Sequence, residues 1–189
     1  WIEAPGPAFF RALKERMGEL PIIAEDLGII TEEVHDMRSS AGLPGMRVLQ
    51  FAFEFDSRDR FNGEHEFLPH NYERNTVVYT GTHDNDTTAG WFDSRDEKIR
   101  DAVRRYLARD GSDIVWDLIR LALASPAGFA IIPFQDLHSL GKEARMNIPS
   151  TVGPHNWSWR MRGEDMDSGT AGRLREMNSL YGRSELSEE

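Results

Sequence analysis

Hydrophobic residues along this 189-residue chain alternate between short continuous apolar runs and longer segments with helical spacing. The apolar runs predict four β-strands that are covered on both faces, at residues 21–24, 46–53, 76–80 and 129–134. Apolar positions that recur every three or four residues predict helices at 8–20, 95–109, 113–124 and 170–181. Thr31 is a suitable N-cap for a further short helix that ends before Gly42.

The alternation of these strands and helices predicts the fold class. Repeated β-α units form a parallel sheet with right-handed crossovers, so we expect an α/β protein. Four such units make half of an eightfold (β/α)8 barrel, and an open four-stranded sheet is the alternative. The glycine pattern of a dinucleotide-binding loop follows none of the predicted strands.

Composition narrows the classes of function. The formal net charge of -10 and the pI of about 5.1 argue against a nucleic-acid or anionic-membrane partner, because both need basic patches. Without cysteine there is no disulfide framework and no thiolate chemistry. We find neither a membrane-spanning apolar run nor a signal-peptide pattern, and a chain that starts at Trp1 is expected to be part of a longer protein.

Acidic residues follow two of the predicted strands. Glu25 and Asp26 come after residues 21–24, and Asp84 and Asp86 come after residues 76–80. The carboxyl ends of parallel strands meet at one rim, where ligands bind. Carboxylates that face one crevice are the groups that glycoside hydrolysis requires. The alternative, an N-cap or a solvated loop charge, applies to most acids taken singly.

Two further features bear on the chemistry of this rim. The apolar neighbours of Glu25 favour its partial burial, as a general acid needs. His83 suits a hydrogen-bond donor to a substrate hydroxyl, and equally a histidine satisfied within its loop. A calcium loop that begins at Asp84 would need glycine sixth and glutamate twelfth, but those positions hold Ala89 and Arg95. No metal site is therefore predicted.

Aromatic residues lie close to these acids in the sequence. Their faces could stack on sugar rings, although core packing is the better interpretation for Trp91 and for most phenylalanines. The residues are Phe51, Phe53, Phe55, Tyr72, Trp91, Trp157 and Trp159.

Several longer motifs resemble a known family. They are residues 23–28 (IAEDLG), 42–46 (GLPGM), 48–53 (VLQFAF), 68–72 (LPHNY), 79–88 (YTGTHDNDTT), 145–149 (RMNIP) and 156–160 (NWSWR). Together these motifs resemble the amylomaltases, the 4-α-glucanotransferases of glycoside hydrolase family seventy-seven, over roughly residues 1–165. The related α-amylase clan of glucan hydrolases is the close rival.

The resemblance implies a fold and a division of the chain. The family folds as a (β/α)8 barrel with inserted subdomains, and this chain would be its C-terminal half. The four predicted strands would be strands five to eight with their helices. Residues 1–181 would form the half-barrel, and residues 182–189 would form a polar tail.

The resemblance also implies catalytic roles. Glu25 matches the general acid/base, Asp84 the carboxylate that stabilises the transition state, and His83 its hydroxyl-binding neighbour. The nucleophilic aspartate of the family belongs at the end of strand four, upstream of Trp1, and is absent here. The implied reaction is the retaining transfer of α-1,4-glucan segments to the 4-hydroxyl of glucose or another glucan. The alternative is a catalytically inert half-barrel.

Three more residues and several properties follow from the same resemblance. Phe51 is expected beside the acceptor sugars, Asn147 in a covering loop at residues 141–156, and Asp26 among the substrate-binding residues. The reaction needs neither a metal ion nor an organic cofactor. The expected ligands are maltooligosaccharides in the cytoplasm, with no nucleic-acid or membrane partner. A half-barrel alone would expose open edges through which it could self-associate.

Overall fold

Three parallel strands form the sheet at the centre of the molecule. The computed structural model describes residues 4–184. The strands are β1 (Gly45–Val48), β2 (Thr76–Tyr79) and β3 (Phe129–Ile131), and they lie side by side in chain order. Gly45 is paired with Thr76, and Val77 with Phe129. The predicted α/β class with a parallel sheet is therefore confirmed.

Helices precede, connect and follow these strands. Their bounds are α1 (Gly6–Met17), α2 (Glu32–Ser40), α3 (Thr88–Ser94), α4 (Glu97–Leu107), α5 (Ile114–Ala124), α6 (Phe134–Leu137) and α7 (Ser168–Leu180). Five correspond to predicted helices, whereas α3 and α6 were not predicted. No helix between residues 4 and 184 is long and apolar enough to cross a membrane.

The first predicted strand, residues 21–24, does not form, so that prediction was wrong. Only the amide of Ala24 reaches towards the sheet, where it donates to the carbonyl of Pro44 at 2.9 Å. Ile22 instead donates to the carbonyl of Leu20. Prolines at positions 21 and 44 have no N–H, so a regular ladder cannot extend between the two segments.

Two other predicted strands end early. After Val48 the chain tightens into a 3-10 turn, Leu49–Phe51, which replaces the second half of the predicted strand. The strand predicted at 129–134 is β3, which stops at Ile131 because Pro133 is the N-cap of α6. Both changes place a sharp turn directly after a strand, at the rim where the candidate site lies.

The hydrophobic core lies between the sheet and helices α3, α4 and α5. Val48 and Val78 of the sheet are fully buried together with Val103, Leu118 and Ile119 of the helices. By contrast, Phe129 and Ile131 of β3 are 65% and 42% exposed. The helix α1 has no buried residue at all.

Arg183 extends the packed part of the chain beyond the predicted boundary at 181. Its guanidinium donates to the carbonyls of Leu123, Ser125 and Ala127 at 2.6–3.0 Å. These contacts attach the segment after α7 to the end of α5. The last five residues of the predicted tail, 185–189, lie outside the described residues.

Candidate active site

The polar segment after β2 forms a loop, residues 81–87, which we call the cleft loop. Thr80 and Thr88 stand on either side of it and are fully buried. The loop ends at Thr87, whose hydroxyl caps α3 by accepting a hydrogen bond from the amide of Gly90 at 3.1 Å. This N-cap makes the loop continuous with a helix that packs in the core. Its central residues are thereby held at the rim of the sheet.

A cleft of about 720 Å³ opens beside this loop. Four of the predicted site residues line it: Glu25, Phe51, His83 and Asp84. Its walls also include the ends of β2 and β3, through Tyr79 and Ile131. Glu25 and Asp84, to which the resemblance assigns catalytic roles, are 59 positions apart in the sequence and share one cleft at the carboxyl ends of the strands.

Asp84 is exposed to the cleft and is held by the segment at 141–156, which we call the cover loop. The side-chain amide of Asn147 donates to its Oδ1 at 2.6 Å. Arg145 donates to the backbone carbonyl of Asp84 at 2.8 Å and, from Nε, to the carbonyl of Asn147 at the same distance. The arginine therefore fixes the two residues relative to each other.

His83 stands between Asp84 and the ring of Trp157, the residue directly after the cover loop. Its Nε2 lies 3.5 Å from Oδ1 of Asp84, the oxygen that Asn147 also approaches. Its ring centre lies 5.1 Å from that of Trp157, with the planes inclined by 37°. Trp157 has a left-handed backbone (φ 59°), and its backbone amide donates to the carbonyl of Met146 at 2.7 Å. This geometry leaves the exposed His83 ring beside the carboxylate.

The environment of Glu25 differs from the one that the sequence predicted. Glu25 is exposed in the cleft, so the expected partial burial is absent. The neighbouring Asp26 is the buried acid, 5% exposed, and accepts a hydrogen bond from the amide of Met46 at 2.6 Å. It also lies 3.3 Å from Nε of Arg38 and 3.4 Å from Arg47.

These contacts place Asp26 outside the residues that line the cleft. A carboxylate that is buried and paired with two arginines is already engaged by the protein. The structure therefore does not bring Asp26 together with the other predicted substrate-binding residues, and we assign it to the support of β1.

Phe51 offers an aromatic surface to the cleft. It ends the 3-10 turn after β1, is 36% exposed and meets Phe67 edge to face, with ring centres 5.7 Å apart. Trp91 and Tyr72, by contrast, are buried in the core. Phe51 and Trp157 are therefore the aromatic candidates that combine exposure with a position at the site.

The sequence reasoning missed Asp136, a buried acid in the wall of the cleft. Its carboxylate accepts from the hydroxyl of Thr80 at 2.5 Å and from the amide and hydroxyl of Thr88 at 2.8 and 2.7 Å. Burial raises the pKa of Asp136, and the charge of Asp86 adds to this, while the bonds from Thr80 and Thr88 oppose it. The available signal was an acid after a strand, because Asp136 follows β3.

Gln50 was also missed. Its amide nitrogen donates to the backbone carbonyl of Asp86 at 2.9 Å, so it supports the far end of the cleft loop. A Cβ at Gly81 would lie 2.5 Å from this nitrogen, so a larger residue there would displace the Gln50 amide. The signal was a single amide within the apolar run of residues 48–53.

No group of three or more metal-ligating histidine or acidic side chains occurs within residues 4–184. The cleft offers the carboxylates of Glu25 and Asp84, the imidazole of His83 and the hydrogen-bond donors around Asp84.

Comparisons with known proteins identify the family of this chain. The model of the 4-alpha-glucanotransferase family matches residues 1–166. The chain is 48% identical over 186 residues to a 4-alpha-glucanotransferase from Synechocystis, covering 97% of this chain and 35% of the relative. It is 44% identical over 185 residues to the Thermus thermophilus enzyme of the same name, covering 94% and 36%.

A solved structure of an amylomaltase also matches this chain. The amylomaltase from Streptococcus agalactiae in complex with acarbose superposes with a TM-score of 0.89 at 38% identity, covering 97% of this chain and 36% of that chain. The chain spans about a third of the length of the curated relatives it matches. With the family model matching most of its length, this chain belongs to the 4-alpha-glucanotransferase family.

Proposed function

We propose that the full-length protein containing this chain transfers segments of α-1,4-glucan to the 4-hydroxyl of glucose or of another glucan. The observation that carries the proposal is the shared cleft of Glu25 and Asp84 in a chain of this family. Because the chain spans a third of its relatives, the activity is proposed for the longer protein. The substrates would be maltooligosaccharides, and the acarbose complex of the Streptococcus agalactiae relative supports a ligand site in this fold.

The reaction would be a retaining double displacement. An aspartate from a part of the protein outside this sequence attacks the anomeric carbon, while Glu25 protonates the leaving glycosidic oxygen. Glu25 then removes the proton from the 4-hydroxyl of the acceptor as that oxygen displaces the aspartate. The reaction consumes no net proton, so one residue can serve both steps.

Asp84 would act by binding the distorted sugar ring. A carboxylate next to the ring stabilises positive charge that develops in the transition state more than it stabilises the relaxed ground state. Asn147 and His83 both approach Oδ1 of Asp84, which fixes the carboxylate before the substrate arrives. Such preorganisation avoids reorientation during the reaction.

Transfer rather than hydrolysis requires that water be kept from the covalent intermediate. The cover loop is suited to this because Arg145 and Asn147 attach it directly to Asp84. With the loop over the cleft, the acceptor sugar would replace water beside Glu25. Phe51 would provide the surface on which the acceptor sugar rests.

The proposed architecture is the C-terminal half of a (β/α)8 barrel. The supporting observation is that β1, β2 and β3 are parallel neighbours in chain order, as strands six, seven and eight of a barrel would be. The segment at 21–24 would take the place of strand five. Residues 1–181 would belong to this half-barrel, and residues 182–189 would follow it as a polar tail. The full-length protein would act in the cytoplasm.

The test is the product pattern from maltotriose. Transfer by the full-length protein gives glucose and oligomers longer than maltotriose, whereas hydrolysis gives glucose and maltose only. Glu25→Gln, which has the same shape but cannot exchange the proton, should lower transfer by at least about 100-fold. Glucose release at the wild-type rate from this variant would exclude Glu25 from the mechanism.

The purified 189-residue chain provides a second arm of the same experiment. It contains no match to the nucleophile, so we expect it to release no glucose from maltotriose. Turnover by the isolated chain would overturn the assignment of the nucleophile to another part of the protein.

A further inference from the structure

Both ends of the cleft loop meet at one buried carboxylate. Thr80 precedes the loop and Thr88 follows it, and both are fully buried. The hydroxyl of Thr80 and the hydroxyl of Thr88 donate to the same oxygen of Asp136, Oδ2, while the amide of Thr88 donates to Oδ1. The carboxylate therefore joins the two ends of the loop, although it is 56 positions from Thr80 and 48 positions from Thr88 in the sequence. We call this set of hydrogen bonds the clasp.

Helix α6, which carries Asp136, also holds the cover loop. Gln135, next to Asp136 in α6, donates from its side chain to the carbonyl of Ala144 at 3.2 Å. Ala144 is buried and directly precedes Arg145, which binds the backbone of Asp84. Two adjacent side chains of α6 thus anchor the two loops that meet at the proposed transition-state carboxylate.

We propose that Asp136 is a positioning residue, which sets the location of Asp84 and His83 by holding both ends of the cleft loop to the end of β3. This inference deepens the proposed function and rests on it for its effect on catalysis. Asp136 itself forms no bond to substrate in this scheme and acts only through Thr80 and Thr88.

Chemistry favours a charged clasp over a merely space-filling residue. Asp136 receives three donors on two oxygens, and an ionised carboxylate is the side chain that accepts all three without donating. Hydrogen bonds to a charged acceptor are stronger and more directional than those between neutral groups. Burial opposes the charge of Asp136. The three hydrogen bonds that position the loop give a reason for a carboxylate at this buried place.

The first test measures the loop without reference to catalysis. In the full-length protein, Asp136→Asn should speed amide hydrogen exchange in a peptide spanning residues 82–88, while exchange in α5 should stay unchanged. Asp117→Asn serves as the matched control because Asp117 is a partly buried acid on α5 that lies near Arg109 and is not among the residues that line the cleft. Equal exchange of the 82–88 peptide in wild type and Asp136→Asn would overturn the proposal.

The second test separates positioning from general stability. Thr80→Val and Thr88→Val keep the side-chain shape and remove the hydroxyl, whereas Thr80→Ser and Thr88→Ser keep the hydroxyl. If the hydroxyls hold the loop, the valine variants should lose about 10- to 100-fold in kcat for maltotriose transfer with KM altered far less. The serine variants should then keep most of kcat.

A purely structural role predicts another result. All four threonine variants would then melt at lower temperature, yet they would retain kcat when assayed well below melting, and this outcome would overturn the proposal. If the wild-type protein shows no transfer at all, the proposed function fails. The exchange measurement on Asp136→Asn would still decide whether the clasp exists.

Discussion

The side-chain amide of Asn147 donates a hydrogen bond to Oδ1 of Asp84 at 2.6 Å, although 63 positions separate the two residues. This bond joins the cover loop to the cleft loop at the carboxylate that we place beside the reacting sugar. Arg145 strengthens the junction by binding both backbones. The two loops therefore form one wall of the cleft, and a change in either loop should alter the position of the Asp84 carboxylate.

Replacement of Asn147 should consequently impair catalysis. Asn147→Ala removes the donor, and we expect kcat for maltotriose transfer by the full-length protein to fall about 10-fold as Asp84 loses its fixed orientation. Asn147→Asp should be worse, because it sets a second negative charge against Asp84. Asn178→Ala, on α7 outside the cleft lining, is the control and should keep the wild-type kcat. Equal rates for Asn147→Asp and wild type would contradict a role for this contact.

Asp84→Asn tests the charge of the carboxylate itself. The amide oxygen can still accept from Asn147, so the variant keeps the geometry and loses the charge. We expect turnover to fall by about 100-fold or more, while maltooligosaccharide binding measured by calorimetry changes little. Loss of binding in step with turnover would instead mean that Asp84 holds the ground-state sugar.

The parts of this site that the sequence predicted are those with a local signal. Val77 and Val78 form a short apolar strand, and the polar residues directly after it, His83 and Asp84, could only lie at the end of that strand. Glu25 was expected at the same rim because it follows the predicted strand at 21–24; that strand does not form, yet Glu25 lines the cleft. These inferences required no knowledge of which residues touch.

What the sequence could not predict depends on tertiary partners. Asp136 becomes a clasp only because β3 lies beside β2 and brings it to Thr80 and Thr88. Asp26, and not Glu25, is the buried acid because Arg38 and Arg47 lie on the side that Asp26 faces. Neither arginine is marked by the local sequence as a partner of that acid.

Tyr72 should make stability sensitive to alkaline pH. The phenol is buried and donates to the carbonyl of Phe67 at 2.7 Å, and burial raises the pKa of Tyr72 well above its ordinary value. The folded state therefore holds this proton more tightly than the unfolded chain, whose tyrosines titrate near pH ~10. The stabilisation is fully present below that pH and is lost as the pH rises towards the folded-state pKa.

Urea unfolding of the full-length protein at several pH values between about 8 and 11 measures this effect. Above pH ~10 the free energy of unfolding should fall by up to about 1.4 kcal/mol per pH unit through this group. Tyr72→Phe should show a shallower dependence and cost about 1 kcal/mol at pH ~8 through the lost hydrogen bond. Parallel pH profiles for wild type and Tyr72→Phe would remove the phenol as the cause.

The edge of the sheet should make the isolated 189-residue chain associate. Phe129 and Ile131 of β3 are 65% and 42% exposed on a short strand at one side of the sheet, which offers both apolar surface and unpaired backbone groups. We expect size-exclusion chromatography to show concentration-dependent species larger than 21.6 kDa. Ile131→Lys should reduce them, whereas Val152→Lys, at an exposed apolar position of the cover loop, should not. A monomer at all concentrations would refute association through this edge.

Gly45→Ala should destabilise the protein through Asp26. A Cβ at position 45 would overlap Oδ2 of Asp26 and lie 2.9 Å from its Oδ1, so the carboxylate must leave its place. Arg38 and Arg47, both mostly buried, would then lose their shared counter-charge, at a cost of about 3 kcal/mol in the free energy of unfolding.

Urea unfolding of the full-length protein supplies the measurement and its control. Gly63→Ala adds a methyl group where no atom lies within 4 Å, so it should change stability by no more than about 0.5 kcal/mol. The mechanism itself is tested by a double variant. If the clash with Asp26 is the cause, Gly45→Ala should cost almost nothing in an Asp26→Ala background, because the displaced group is already gone. Full additivity of the two changes would show that Gly45 supports β1 for another reason.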